Sequence, residues 1–337
     1  MRADYVVVGA GAAGCVLAER LSRDPTVSVV LVEHGGPVRN PWFRVPKSFY
    51  AAMRSARYTH RYPVRVNGSG QETWLRGKAL GGSTVLNGML YSRGDPVDYD
   101  DLAAANPGWA WADMLPAFLA MEDHALGASP DRGAGGPLPV SVTKADDAVL
   151  QAICGAVASM GIPLVDDVNG VDGARIGPTS VTIRHGLRVD AASAFLAPAR
   201  RRPNLVVADD ARAGHLLFDG PRAVGVRVRR RGERLDVTAR RQVIVAAGAL
   251  ESPLLLERSG IGDPEVLRTA GVPKRVESPR VGRRLIEQRS SPSRHACTPV
   301  WGWVPGSTPR PNGSSPSAVT SWTADGRSGP ARTSWPR

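Results

Sequence analysis

Gly9, Gly11 and Gly14 stand at the spacing G-x-G-x-x-G in the run Gly9-Ala10-Gly11-Ala12-Ala13-Gly14. The chemistry this spacing suits is the holding of a pyrophosphate. Gly9 permits a tight turn, Gly11 carries no side chain to block an approaching phosphate, and Gly14 lets a helix pack closely on a strand. Ala12 and Ala13 open that helix, whose free N–H groups and positive dipole end face the same ligand. Glu33, nineteen residues after Gly14, is spaced to accept hydrogen bonds from ribose hydroxyls.

The elements needed to position these groups are legible on either side. Asp4-Tyr5-Val6-Val7-Val8 is a Val-rich run of the kind that forms a strand buried on both faces. A helix is expected over Ala12 to Ser22, with Val16, Leu17 and Leu21 on adjacent turns, and a second strand over Val27 to Val32. Strand, glycine turn, helix, strand and acid together predict a dinucleotide-binding fold. The motif leaves FAD and NAD equally open.

A second chemistry-bearing segment runs from Arg76 to Gly94. Gly77, Gly81, Gly82 and Gly88 accompany the pair Ser83-Thr84, giving a surface rich in accessible backbone. The apolar neighbours Leu80, Val85, Leu86, Met89 and Leu90 argue that this loop is buried, and a buried loop needs partners for its polar groups.

Residues 76–94 resemble the first signature of the glucose-methanol-choline (GMC) oxidoreductase family. Gly248-Ala249-Leu250-Glu251-Ser252-Pro253, continuing to Gly262, resembles the second. The resemblance covers residues 4 to about 285, the N-terminal FAD-binding part. It implies FAD rather than NAD(P), and oxidation of an alcohol CH–OH group by hydride transfer to flavin N5. It further implies that Arg76, Gly77, Gly81, Gly82 and Ser83 line the pyrophosphate and flavin. Asn87, Gly88, Met89 and Leu90 would lie near the isoalloxazine, and Ala213 near the adenine. Some members attach FAD through a histidine just before the residue matching Asn87. Leu86 stands there in this chain, so non-covalent FAD is expected.

The remainder reads as an α/β protein: a Rossmann-like, mainly parallel sheet with a β-meander, plus an incomplete α+β substrate domain. Residues 95–190 begin that substrate portion and are expected to be irregular. Short helices are expected at Asp98–Leu102 and Trp109–Phe118, a loop over Gly133 to Pro139, and an amphipathic helix over Val149 to Met160. Arg188 to Leu196 resembles the family stretch leading into a short helix. Strands follow at Leu205–Ala208, Gly214–Phe218, Ala223–Val228 and Leu235–Thr238, with turns at Asp219-Gly220 and Arg231-Gly232. Alternation puts Arg227 and Arg229 on one face and Val226 and Val228 on the other, which reads as a solvated sheet face rather than a nucleic-acid patch. A buried strand at Val243–Val245 ends in Ala246-Ala247-Gly248. Ala247 and Gly248 are small enough to sit against the first glycine loop and the cofactor.

Composition sets the outer limits. With 337 residues, 42% hydrophobic and 22% charged, the chain is globular in type, and no apolar run is long enough to span a bilayer. Cys15, Cys154 and Cys297 are scattered, which argues against a disulfide framework or a metal site and for a cytoplasmic location. The net charge of +12 owes half its excess to residues 283–337, where eight arginines face one aspartate and one glutamate. No nucleic-acid-binding signature accompanies it.

Beyond residue 285 the pattern fails. Arg284 replaces the family's asparagine, and residues 286–337 are rich in Ser, Pro, Arg, Gly and Trp without periodicity. They read as an out-of-frame tail in place of the family's C-terminal part. The resemblance implies a catalytic histidine in that part, and none of His34, His60, His124, His185, His215 and His295 matches its segment. No catalytic residue is therefore assigned. The expectation is an FAD-dependent alcohol oxidoreductase, truncated and impaired. The alternative is a non-catalytic FAD-binding fragment.

Overall fold

The computed structural model describes residues 1–65, 70–144, 146–283 and 285. The expected tail at 286–337, with His295 and Cys297, and the Arg284 substitution lie outside the described residues. The chain divides into a large unit, Met1–His60 with Leu75–Glu287, and a small one, Arg61–Trp74 with Gln288–Arg337. In the small unit the described residues other than Gly70 belong to two paired strands, Thr59–Arg65 and Gln71–Gly77.

The large unit is built on a six-stranded sheet. Its strands are β1 (Arg2–Val8), β2 (Val29–Val32), β3 (Leu205–Ala208), β4 (Ala211–Asp219), β5 (Arg222–Arg230) and β6 (Glu233–Val245), in the order β3-β2-β1-β6-β5-β4. The first four in that order are parallel, and β4, β5 and β6 form an antiparallel meander. The expected fold class is therefore present. Val6, Val7 and Val8 are all buried because the sheet is covered on both faces, which explains why β1 and β2 lack alternation. On one face α1 (Ala12–Leu21) packs with Phe195, Leu196 and Ala199 over Val7 and Leu31. On the other, Val226, Val228 and Val237 of the meander meet Val6, Val8 and Leu255. Burying each such side chain stabilises the fold by roughly 1.5–3 kcal/mol.

The β5–β6 turn is as expected, with Arg231 and Gly232 both at positive φ (50° and 90°). Arg227 and Arg229 lie off the buried face, and Arg227 pairs with Asp236 across the ladder.

Three local expectations are corrected. Leu235–Thr238 and Val243–Val245 are not two strands but the halves of β6. The intervening Ala239-Arg240-Arg241-Gln242 contains no Gly, Pro, Asn or Asp to break the strand, and the mismatch is absorbed as a register shift opposite Ala3 and Tyr5. Leu138 and Pro139 are not loop but open the strand Leu138–Val142, where Pro139 lies opposite Asp123. This strand joins Glu122–His124 and Ser180–Val181 in a three-stranded sheet, so residues 95–190 are less irregular than expected. The helices expected near Asp98 and Trp109 are present as Pro96–Ala103 and α2 (Trp111–Met121). The third, α3 (Ala148–Ser159), forms but buries none of its residues, so its apolar side chains are not core.

Candidate functional site

The first glycine loop is fixed by contacts in which a side chain has no place. Gly9 has φ +102°, donates its N–H to Val32 O at 2.8 Å, and leaves only 2.5 Å between an imagined Cβ and Ala246 O. A Cβ on Gly14 would fall 1.8 Å from Gly9 O. Gly11 differs, because a Cβ there would meet nothing within 4 Å. Two glycines therefore serve the fold, and the third faces open space. Gly11 caps α1 with no side-chain hydrogen bond, and Ala12 and Ala13 are exposed. The N–H groups of this turn are free to meet an anion.

Glu33 sits at the carboxyl end of β2, buried. Its Oε2 accepts the Ala10 N–H and its Oε1 the Gly35 N–H, both at 2.8 Å. The carboxylate thus ties the glycine loop to the strand end. Each oxygen keeps a further lone pair for a ribose hydroxyl. Burial pushes its pKa up to about 7, against the opposing effect of those N–H bonds.

The second glycine loop lies directly on the first. Gly81 N–H donates to Ala10 O at 2.8 Å, and a Cβ on Gly82 would be 2.7 Å from the Gly11 Cα. Gly81 and Gly82 both have positive φ. Gly77 packs on the Gly82 carbonyl and donates its N–H to Ser83 Oγ at 3.0 Å. Arg76 folds its Nη1 onto Leu75 O. The third segment is the β6–α4 turn, where α4 is Gly248–Arg258. Ala246 N–H bonds Val8 O, the Ala247 Cα lies 2.8 Å from where a Gly9 Cβ would be, and Gly248 has φ +84°. Three chain segments far apart in sequence thus meet at Gly9–Gly11.

Asn87, Gly88 and Leu90 are exposed, and Met89 is buried at φ +64°. Asn87 Oδ1 accepts from Met89 N–H at 3.2 Å and from Arg188 Nη1 at 2.8 Å. Ala213 lies on β4, two residues beyond Ala211, whose N–H bonds Glu33 O. Leu86 is 4% exposed, packed among Phe43, Ala52, Tyr58, Ala79 and Val85.

The sequence reading missed Arg188. It is 2% exposed and donates to Phe43 O, Thr84 O and Asn87 Oδ1, while its Nη2 has no hydrogen-bond partner among the described residues. Burial pulls its pKa below the usual arginine value, with Asp190 opposing. A lone arginine before Val189-Asp190 gives no sequence signal of burial. The histidines are placed elsewhere. His34 Nδ1 is 3.2 Å from His60 Nε2, His124 is buried beside Asp167, His185 occupies a turn at φ +52°, and His215 lies on β4. Among the described residues no group of three His, Cys, Asp or Glu could hold a metal.

This arrangement fits a flavin dinucleotide. The Cβ positions of Gly11, Gly88 and Gly248 are open, and the N-terminal turns of α1 and α4 both lack side-chain caps, so backbone donors and a side-chain-free surface run along one cradle.

Known proteins agree. The family model described as GMC oxidoreductase matches residues 3–289. An oxygen-dependent choline dehydrogenase of Xanthomonas campestris pv. campestris (strain B100) is 39% identical over 307 residues, 88% of this chain and 55% of the relative. One from Burkholderia pseudomallei (strain K96243) is 39% identical over 292 residues, 84% of this chain and 52% of the relative. The crystal structure of pyridoxine 4-oxidase from Mesorbium loti superposes with a TM-score of 0.79 at 36% identity, covering 82% of this chain and 55% of that one. A formate oxidase of Aspergillus oryzae RIB40, a variant solved for its effect on FAD modification, superposes at 0.75 with 27% identity, over 83% and 51%. The chain spans about half the length of the curated relatives it matches.

Proposed function

Because the chain belongs to the GMC oxidoreductase family, whose cofactor is FAD, we propose that it is the FAD-holding part of an oxidoreductase acting on the CH–OH group of an alcohol. The observation that carries this reading is the stacking of Gly82 on Gly11, which brings the family's first signature onto the dinucleotide loop. Bound FAD supplies the two-electron acceptor for the alcohol. The chain's own groups hold it. The first turn of α1 and the Gly81-Gly82 backbone take the diphosphate, and Glu33 takes the ribose. Asn87, held by Arg188, orients the flavin end, with Gly88, Met89 and Leu90 beside it. Ala213 borders the adenine, and Ala247 and Gly248 close the cradle. Attachment is non-covalent, since Leu86 offers no nucleophile and is buried in an apolar cluster.

The substrate class is a small alcohol, supported by the choline dehydrogenase and pyridoxine 4-oxidase relatives. The compartment is the cytoplasm, supported by the unpaired Cys15 and Cys154. Among the described residues no helix is long and apolar enough to cross a membrane.

A second reading is a non-catalytic FAD-binding fragment. It is favoured by the five described histidines, none of which carries a family base motif. One experiment separates the two: visible absorbance of the purified chain during anaerobic addition of choline, pyridoxine and simple primary alcohols. Bleaching of the flavin bands supports the oxidoreductase. Flavin bands that persist support the fragment, and a chain that takes up no FAD refutes both.

A further inference from the structure

Two arginines are buried among the described residues, Arg93 and Arg188, and they are compensated differently. Arg93 Nη2 pairs with the Glu122 carboxylate. Arg188 has only neutral acceptors. Its Nε donates to Phe43 O at 3.1 Å, and its Nη1 donates to Thr84 O at 3.0 Å and to Asn87 Oδ1 at 2.8 Å. Its Nη2 is buried with no hydrogen-bond partner among the described residues. Among those residues Arg188 forms no ion pair, and Asp190 opposes the effect of burial only at longer range. A desolvated charge without a counter-ion opposes folding, so this guanidinium is best satisfied when a negative charge arrives beside it.

Arg188 also decides which way the Asn87 amide points. Asn87 Oδ1 accepts from Arg188 Nη1 and, at 3.2 Å, from the Met89 N–H. Turning the amide over would set Nδ2 against two donors, so the hydrogen bonds select this orientation. Asn87 is exposed, and its Nδ2 donates to nothing among the described residues. Two N–H donors, polarised by a cation through their own carbonyl, are thus left at an open surface beside Gly88 and Leu90.

Oxidation of an alcohol passes a hydride to the flavin. The neutral ring gains two electrons and one proton and becomes a reduced ring with one negative charge, and the alcohol's O–H proton leaves to solvent. On the reading that residues 87–90 form the flavin side of the FAD cradle, we propose that Arg188 is a positioning residue that tunes the cofactor: it sets the Asn87 amide donors toward the flavin ring, and its uncompensated charge favours the reduced, anionic ring over the oxidised, neutral one. Donors and charge beside the ring are the means by which a protein adjusts a flavin.

The test is the midpoint potential of the FAD-loaded chain, measured anaerobically with a chemical reductant and a reference dye, alongside the affinity for oxidised FAD. No alcohol and no catalytic base is needed for this readout. Arg188→Met is expected to loosen reduced FAD about tenfold more than oxidised FAD, a fall of about 30 mV for a two-electron couple. Arg188→Lys, which keeps the charge, is expected to recover most of that fall. Should Arg188→Met fold poorly, Asn87→Asp gives the same answer. It is isosteric, lies at an exposed position, and sets a carboxylate against Arg188 Nη1, so it keeps the fold while cancelling the charge. The same fall or a larger one is expected. The assignment is overturned if the FAD-loaded variants keep the parent's potential, or if Arg188→Met and Arg188→Lys lower it equally. It is also overturned if oxidised and reduced FAD weaken together, which would give the cation to the diphosphate instead. A parent chain that takes up no FAD refutes the flavin site and this role together, an outcome distinct from bound FAD with an unchanged potential.

Discussion

Gly11 and Gly82 approach so closely that a Cβ on Gly82 would stand 2.7 Å from the Gly11 Cα, although a Cβ on Gly11 itself would meet nothing. The asymmetry separates two kinds of glycine. Gly11→Ala should leave the melting temperature of the FAD-free chain nearly unchanged and weaken FAD, because the added methyl enters the ligand's space. Gly14→Ala, with its Cβ 1.8 Å from a carbonyl oxygen, should destabilise the chain by about 3 kcal/mol or more. Thermal melts with and without FAD check both. Equal destabilisation by the two would refute the distinction.

Arg188 holds the second loop from behind through Phe43 O, Thr84 O and Asn87 Oδ1. Arg188→Met should cost about 3 kcal/mol, since buried acceptors lose their donor. Asn87→Ala, at an exposed position, should cost little stability and should instead alter the visible spectrum or affinity of bound FAD. A melt and a flavin titration on each variant separate the two effects.

Glu33 gives a pH signature. Its folded pKa of about 7 lies above the ordinary 4.5, so the folded chain binds this proton first as pH falls. Its contribution to stability is then largest below pH 4.5 and is lost as pH rises toward 7, by up to about 3 kcal/mol. His34 and His60, whose pKa values burial lowers, contribute with the opposite slope below their ordinary value. The informative quantity is therefore the difference between the parent and Glu33→Gln across this range, in the FAD-free chain. A difference independent of pH would show that Glu33 does not titrate there.

Glu122 is fully buried and paired with Arg93 Nη2, and it also accepts the Gly133 N–H at 2.6 Å. Arg93→Met alone should destabilise by roughly 3–5 kcal/mol, because it strands a buried charge. The double variant Arg93→Met with Glu122→Leu should recover part of that loss. Denaturant unfolding of the three proteins decides it, and a double variant no more stable than the single one would contradict the account.

Acid precipitation of the FAD-loaded chain should release all of its flavin to the supernatant, as Leu86 offers no point of attachment. Yellow colour retained in the washed pellet would reveal a covalent link.

The sequence by itself determined the dinucleotide fold, because its signals are local. Val6–Val8 must be buried on both faces, Gly9 must turn, and Arg231-Gly232 must close a hairpin. The two signatures named the family because long motifs constrain backbone path as well as side chains. What only the tertiary structure decided is how distant segments meet. The single strand β6 was hidden because no residue between 238 and 243 distinguishes a turn from a bulge, and the partner that absorbs the mismatch, β1, lies at the other end of the chain. Glu33 as a clamp on Ala10 and Arg188 as the support of Asn87 depend on the same thing. Burial and charge pairing are properties of contacts between segments separated by tens to hundreds of residues, and no local pattern records them.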